Sequence, residues 1–127
     1  MATLRVRTPL TDPDLNRLFA AAWPEHTPVA FGPVHERSLT WVSAWSADLI
    51  GYVNVATDGR SHAFILDTTV HPAAQRQGLG RLLVRTAAAE ATRAGADWLH
   101  VDYEPHLRTF YESCGFTPTQ AGLLRLR

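Results

Sequence analysis

The chain has no lysine. All 12 of its basic residues are arginine, and 12 acidic residues balance them to a formal net charge of zero. A neutral chain projects no field that would draw it onto nucleic acid or an anionic membrane, so neither is expected as a partner. The arginine bias accompanies abundant alanine; it is read as genome composition and given no functional weight. Cysteine is nearly missing too. Cys114 is the only one, which excludes an intramolecular disulfide. No apolar run approaches the about 18 residues of a membrane-spanning helix. The start, Met1-Ala2-Thr3-Leu4-Arg5, lacks the apolar core of a secretory signal. A soluble protein in the reducing cytoplasm is therefore expected. Internal repeats, low-complexity tracts and inter-domain linkers are also lacking.

What remains is ample for a core. The chain has 127 residues, of which 46% are hydrophobic. That is too apolar for disorder and suits one domain over residues 1–127.

The elements follow from periodicity. Leu4 to Arg7 alternates as a short strand. "TDPDLNRLFAAAW" opens with a helix start: Thr11 or Asp12 as cap, Pro13 near the first helical position, and Asp12 and Asp14 at the positive end of the dipole. Leu15, Leu18, Phe19 and Ala22 keep helical spacing. "WPEHTPVAFGPVHER" is a proline-rich loop, long enough to suggest a function. "SLTWVSAWS" and "DLIGYVNVATD" read as strands joined near Ala47-Asp48, and Asp58-Gly59 marks the next turn. "HAFILDTTV" is nearly continuous and apolar, as for a strand at the centre of a sheet.

Leu79, Leu82, Leu83 and Ala87 then mark an amphipathic helix running to about Ala94, with Gly95 as its stop. "DWLHVDY" is a strand, "PHLRTFYESC" a short helix ended by Gly115, and "FTPT" and "GLLRLR" are short closing strands. An antiparallel meander running into a β-α-β unit implies a mixed α/β (α+β) sheet rather than an alternating doubly wound one.

The stretch "HPAAQRQGLGRLLV", His71 to Val84, carries the first chemical signal. A strand ends at Val70 and a helix starts near Gly78, so unpaired amides and the helix dipole meet at one place and favour an anion. Glycine at 78 and 80 lets a bulky pyrophosphate approach the main chain, and Arg76 and Arg81 can add charge-assisted bonds. A Walker A loop needs lysine after its last glycine, where Arg81 stands. A dinucleotide fingerprint needs a small residue where Leu83 stands. A third pattern, Gln/Arg-x-x-Gly-x-Gly/Ala, is matched by Gln75, Gly78 and Gly80.

That loop resembles the pyrophosphate-binding loop of the GNAT superfamily of acyl-CoA N-acyltransferases. A second block, "EPHLRTFYESCGF" from Glu104 to Phe116, is similar to the family's Asn-Pro-x-Ala-x-x-Leu-Tyr-x-x-x-Gly-Phe. Pro105, Tyr111, Gly115 and Phe116 match it, and Phe110 stands for its leucine. Glu104 replaces its asparagine and Leu107 its alanine. With the element order, the resemblance covers about residues 49–118; the first 48 residues carry none of it.

The resemblance implies a mixed, mostly antiparallel, twisted sheet of six to seven strands with about four helices, splayed between the strands ending at Val70 and Tyr103. It implies acetyl-CoA as co-substrate: Thr69, Val70 and His71 against the pantetheine and thioester, and Gln75, Arg76, Gln77, Gly78, Leu79, Gly80 and Arg81 around the pyrophosphate. Glu104, Leu107, Phe110 and Tyr111 complete the donor site.

Acetyl transfer to an amine needs a neutral nucleophile, donors for the developing oxyanion and a proton for the departing thiolate. Tyr111 stands where the family often has its general acid, and Asp67 where an acidic residue often faces the acceptor. A carboxylate in an apolar strand is costly unless satisfied. His71, before Pro72, is read as orienting the loop rather than as a base. His100 and Asp102 share a strand face and either line the acceptor side or satisfy each other. His106 lies at the strand exit. Cys114 is read as a small buried hydrophobe rather than an acyl carrier. No metal-ligand spacing stands out, and the transfer needs no metal.

The acceptor pocket is expected between Trp23 and Arg37. Trp23, Phe31, Trp41, Trp45 and Tyr52 form a candidate aromatic wall of which at least half should be core. Glu25, Glu36 and Asp48 either attract a cationic amine or are solvated. The expected activity is N-acetylation of a primary amine of a small molecule by direct attack in a ternary complex. A protein N-terminus or lysine is the alternative acceptor, and a non-catalytic acyl-CoA-binding module the alternative class. Exposed sheet edges make a homodimer the expected assembly.

Overall fold

A computed structural model describes residues 2–127. Strand β1 (Thr3–Val6) is followed by helix α1 (Asp12–Ala22) and the single turn α2 (Gly32–His35). Strands β2 (Ser38–Trp45), β3 (Leu49–Thr57) and β4 (His62–Val70) form the meander. Helix α3 (Leu79–Arg93) crosses to β5 (Trp98–His100), and α4 (Arg108–Ser113) follows. Single 3-10 turns at Pro72–Ala74 and Pro105–Leu107 precede α3 and α4.

The sheet runs in the order β1-β2-β3-β4-β5. The first three pairings are antiparallel, and β4 pairs with β5 in parallel. Helix α3 covers one face. Val42, Val53, Val55, Ala63, Ile65, Leu79, Leu83, Ala87 and Ala91 pack there. Helix α1 covers part of the other, over Leu15, Leu18, Phe19, Phe31, Trp41, Leu49 and Tyr52.

Local chemistry accounts for the helices. The Thr11 hydroxyl caps α1 by accepting from the Asp14 amide at 3.2 Å, and Asp12 and Asp14 lie in the first turn. Helix α3 stops at Gly95, whose φ of 97° is costly for other residues. Its buried stripe is Leu79, Leu83, Val84, Ala87 and Ala91. Leu82, expected on that stripe, is 49% exposed. Steps of four residues carry the apolar face around the helix and leave position 82 on the outside.

Three other expectations change. Strand β4 is not buried on both faces: its outward residues Phe64 and Leu66 are 37% and 41% exposed, because α1 does not reach them. The strand expected over Asp97 to Tyr103 pairs only at Trp98–His100, where its register with β4 ends at Phe64↔His100. The closing strands "FTPT" and "GLLRLR" are not formed. Residues 117–127 are irregular and exposed, so five strands stand where six to seven were expected. Beyond His100 the parallel strands β4 and β5 no longer pair, which fits the predicted splay between Val70 and Tyr103.

One irregularity positions the site. The β3–β4 register passes from Asn54↔Leu66 to Tyr52↔Thr69, so two residues of β4, Asp67 and Thr68, oppose the single Val53. This bulge reverses the alternation of β4. Val70 joins Ala63 and Ile65 against the α3 core, while Thr69 turns to the α1 side. Asp67 takes a left-handed φ of 56°, an unfavoured conformation that bulges near functional sites often hold.

Candidate active site

The end of β4, the start of α3 and the first turn of α4 meet at Gly80. A Cβ built there would lie 3.3 Å from the Phe110 ring and 3.6 Å from a Val70 methyl. Glycine is thus required by close packing between the two halves of the predicted site. At Gly78 the requirement is conformational: φ is 78° at the helix cap, with nothing crowding the position.

The loop between Val70 and Gly78 is held by its own side chains. His71 Nδ1 accepts from the Ala73 amide at 3.0 Å, which fixes the 3-10 turn and commits the imidazole to the loop. Gln75 Nε2 donates to the Val70 carbonyl at 3.1 Å. Residues 75–78 and Arg81 are exposed, whereas Leu79 is buried as the first anchor of α3. The first amide to close a helical turn is that of Leu82, on the Gly78 carbonyl; those of 79–81 have no helical partner. Among the described residues the ion pairs use Arg17, Arg37, Arg93 and Arg108; Arg76, Arg81 and Arg85, around the start of α3, are among the arginines outside them. Free amides, a helix N-terminus and free guanidinium groups suit a pyrophosphate.

The main chain of β4 supplies a further donor. The His71 amide bonds to the Ile50 carbonyl at 2.8 Å. In an antiparallel ladder that alternation turns the Val70 N–H away from β3, toward the side where β5 has departed.

Tyr111 stands on the far side of the splay. It is 6% exposed, stacked on Tyr103 at 5.0 Å and edge-on to Phe110 and Phe116 at 4.9 and 5.8 Å. Burial pushes its phenol above 10.0, against a smaller opposing effect of the Thr68 hydroxyl. Thr68 Oγ1 is itself buried without a hydrogen-bond partner, so the two hydroxyls are neighbours short of a bond. Glu104 precedes the 3-10 turn, its carbonyl accepting from the Leu107 amide at 2.9 Å. The Glu104 side chain is exposed, and Leu107 and Phe110 are half-buried.

Asp67 is open to solvent by area. Protein around it still desolvates the carboxyl and holds it above its ordinary 3.8. Among the described residues no hydrogen bond reaches that carboxylate. Its charge is felt by Tyr52, the fully buried phenol opposite Thr69.

The aromatics expected to form a wall divide between core and surface. Phe31, Trp41 and Tyr52 are core, while Trp23 is 51% exposed. Trp23, Pro24, Glu25 and His26 line an open hollow of about 420 Å³. The long loop behind it is tied to α1: Asp12 accepts from the Phe31 amide at 3.0 Å, and Asn16 binds His26 at 2.8 Å and the Val29 amide at 3.0 Å. Glu36 and Asp48 are exposed; Glu36 pairs with its neighbour Arg37 and Asp48 with Arg17, each at the limit of an ion pair.

His100 Nε2 lies 2.7 Å from His62 Nδ1, and its ring stacks on Phe64 at 4.6 Å, so its partner is His62 rather than Asp102. His106 is exposed on its turn. Burial raises the Cys114 thiol, outweighing the opposing effects of the Ser113 hydroxyl and then of Arg81 and Arg85, so it stays protonated at neutral pH. Among the described residues no three His, Cys, Asp or Glu side chains converge on a metal position, and no helix is long and apolar enough to cross a membrane.

Two contacts had no signal in the sequence. Trp23 Nε1 donates to Thr69 Oγ1 at 3.3 Å, 46 residues away. His35 Nε2 and the Tyr52 hydroxyl meet at 2.7 Å across 17 residues.

The family model described as "Acetyltransferase (GNAT) family" matches residues 10–116. Mycothiol acetyltransferase of Mycobacterium avium (strain 104) is 32% identical over 87 residues, 68% of this chain and 27% of that protein. The chain thus spans about a quarter of the length of that relative. A GNAT-family acetyltransferase of Streptococcus pneumoniae TIGR4 superposes with TM-score 0.79 at 24% identity, covering 100% of both chains. An aminoglycoside N-acetyltransferase in complex with CoA superposes at 0.77 with 16% identity, over 100% of this chain and 95% of that one. At these identities the likeness to the solved structures establishes the fold alone. The family model, which spans most of the chain, carries the assignment: the chain belongs to the acetyltransferase (GNAT) family.

Proposed function

We propose that the chain transfers an acetyl group from acetyl-CoA to a primary amine of a small molecule, by direct attack with both substrates bound. The observation that carries this reading is the junction at Gly80. Near it lie an exposed helix start with free amides, an outward-facing strand amide and a tyrosine whose phenol is raised above 10.0, and this proximity supports the reading. Two similar proteins are named for small acceptors, mycothiol and aminoglycosides.

The residues present fit acetyl-CoA. The amides of 79–81 with Arg76 and Arg81 would hold its pyrophosphate, and the open edge of β4 would pair with its pantetheine amides. When bound, it supplies an activated acetyl group. The Val70 N–H is placed to stabilise negative charge on the acyl oxygen, an effect worth about 3 kcal/mol. Asp67, with its raised carboxyl, takes the proton from the ammonium of the acceptor. Tyr111 keeps its proton at neutral pH and gives it to the leaving sulfur, and the second proton that the attacking nitrogen loses as the amide forms returns to the phenolate. Trp23 and Glu25 at the open hollow favour a cationic acceptor through an indole face and a carboxylate.

The test is thiol release from acetyl-CoA against a panel of small amines. Acceleration by at least one amine is expected. Tight CoA binding with no acceleration by any amine would replace the enzyme with a binding module.

We also propose a homodimer. The exposed tail carries Leu123, Leu124 and Leu126 at 82%, 84% and 85% exposure, with Arg125 and Arg127 alternating. The edge around β5 offers exposed Trp98 and the acids Asp97, Asp102 and Glu104. Apolar and charge patterns are complementary, as in strand addition at a sheet edge.

A further inference from the structure

A buried hydroxyl joins the acceptor hollow to the β4 bulge. Thr69 is 2% exposed, and its hydroxyl donates to the Asp67 carbonyl at 2.9 Å. A hydroxyl has one proton to give, so toward its other neighbour it can only accept. That neighbour is the Trp23 indole at 3.3 Å, a group that can only donate. The chain therefore runs one way, from Trp23 N–H to Thr69 O–H to Asp67 C=O. Its end is the residue with φ of 56°, a left-handed conformation that aspartate adopts more readily than most residues but that still costs energy relative to the extended and right-handed regions, so a hydrogen bond to its carbonyl helps to hold it.

Trp23 is well placed to give that support. It is the C-cap of α1, its own amide bonded to the Phe19 carbonyl at 2.7 Å, so the indole hangs from a rigid helix end. Half of the side chain is open and forms a wall of the hollow with Pro24, Glu25 and His26. One residue thus faces the acceptor space and braces the strand that presents Asp67.

We propose that Trp23 is a positioning residue for the transfer, holding Asp67 in its left-handed bulge through Thr69 and so aiming the carboxylate at an acceptor seated against the same indole. The consequence for catalysis rests on the reading of Asp67 as the proton acceptor; the brace itself does not. Loss of the indole N–H should loosen the bulge and misaim the carboxylate while leaving the CoA loop untouched.

The test compares Trp23→Phe, Thr69→Val and Thr69→Ser with the unaltered chain. Misplacement near a reacting centre can cost up to about a hundredfold in rate. Here Trp23→Phe and Thr69→Val are each expected to lower kcat about tenfold, with KM for acetyl-CoA within about twofold of the parent. Thr69→Ser keeps the hydroxyl and should restore the slow amide exchange at residues 67–69 that Thr69→Val loses. The double variant Trp23→Phe/Thr69→Val should be no worse than Thr69→Val, since both cut one chain. Amide hydrogen exchange at residues 67–69, read without substrate, should quicken in Trp23→Phe. Unchanged exchange there overturns the proposal, as do multiplicative losses in the double variant. Faster exchange in Trp23→Phe together with full activity of Asp67→Asn would uphold the brace and reject Asp67 as base.

Discussion

His35 Nε2 and the Tyr52 hydroxyl lie 2.7 Å apart in the core beneath β3, and His35 stacks on Trp41 at 4.2 Å. Burial lowers the imidazole below its ordinary 6.5, only partly offset by Asp12. It also drives the phenol far above its ordinary range, with the charge of Asp67 adding to the effect. Both groups are thus neutral at pH 7. Tyr52 donates and His35 accepts, which places the imidazole proton on Nδ1.

This pair ties stability to pH. A histidine whose folded pKa is depressed binds its proton more readily when unfolded, so stability rises with pH through the window below 6.5 and is lost as pH falls through it. Urea titrations at pH 7.5 and 5.5 should show a lower midpoint at the acid value. His35→Gln should flatten that difference. Tyr52→Phe removes the hydrogen-bond partner of the half-buried imidazole and should cost about 0.5–1.5 kcal/mol.

Asp67 should govern the acid limb of kcat/KM. Its carboxyl lies above 3.8 because the surrounding protein desolvates it, and it works only when ionised. The limb should therefore fall at a higher pH than for an ordinary carboxylate. Asp67→Asn should remove the limb and lower kcat by about 10²–10⁴-fold. A pH–rate series on both proteins checks this.

Tyr111 should separate chemistry from binding. Its hydroxyl makes no strong hydrogen bond, and its ring makes the aromatic contacts. Tyr111→Phe should therefore leave thermal stability nearly unchanged and lower kcat about 100-fold, with CoA affinity little altered. With its pKa above 10.0, no loss of rate from phenol ionisation should occur below pH 10. Equal turnover in the variant would reduce Tyr111 to packing.

The two loop glycines should fail differently. Gly80→Val forces branches against Phe110, whose ring already lies 3.3 Å from the Cβ position. It should weaken CoA binding and loosen α4. Gly78→Val meets no neighbour, but its φ of 78° is strained for a branched residue; about 1–2 kcal/mol of stability should go. CoA binding should weaken beyond that loss if the pyrophosphate crosses this main chain. Calorimetric titration with CoA beside urea midpoints separates the two effects.

Sedimentation should give a dimer at micromolar concentration. Leu124→Asp/Leu126→Asp should release monomers without lowering the midpoint of urea unfolding. A monomeric parent chain would refute the proposed assembly.

Much of the fold is legible in local patterns. The Thr11 cap, the Gly95 stop, the meander and the two-glycine loop each write their structure within a few residues, because caps, turns and alternation are local physics. The tail misled for the same reason. "LLRLR" alternates as a strand should, yet a strand also needs an edge to pair with, and alternation says nothing about where one lies. Leu82 was misplaced because a four-residue step and a three-residue step look equally helical until the partner surface is known.

The bulge at Asp67 was beyond reach of pattern. The alternation of "HAFILDTTV" carries no mark of the extra residue, which only the register against β3 reveals. Asp67 was legible as a costly carboxylate; its left-handed φ was not. The sequence by itself determined the family, the two-glycine turn into α3 and the glycine stop after α4, since each rests on residue types at short, fixed spacings. Only the tertiary structure decided that Trp23 braces Thr69, that His35 meets Tyr52 and that His100 turns to His62. Those contacts join side chains 17 to 46 residues apart, and chain separation carries no information about distance until the sheet has closed.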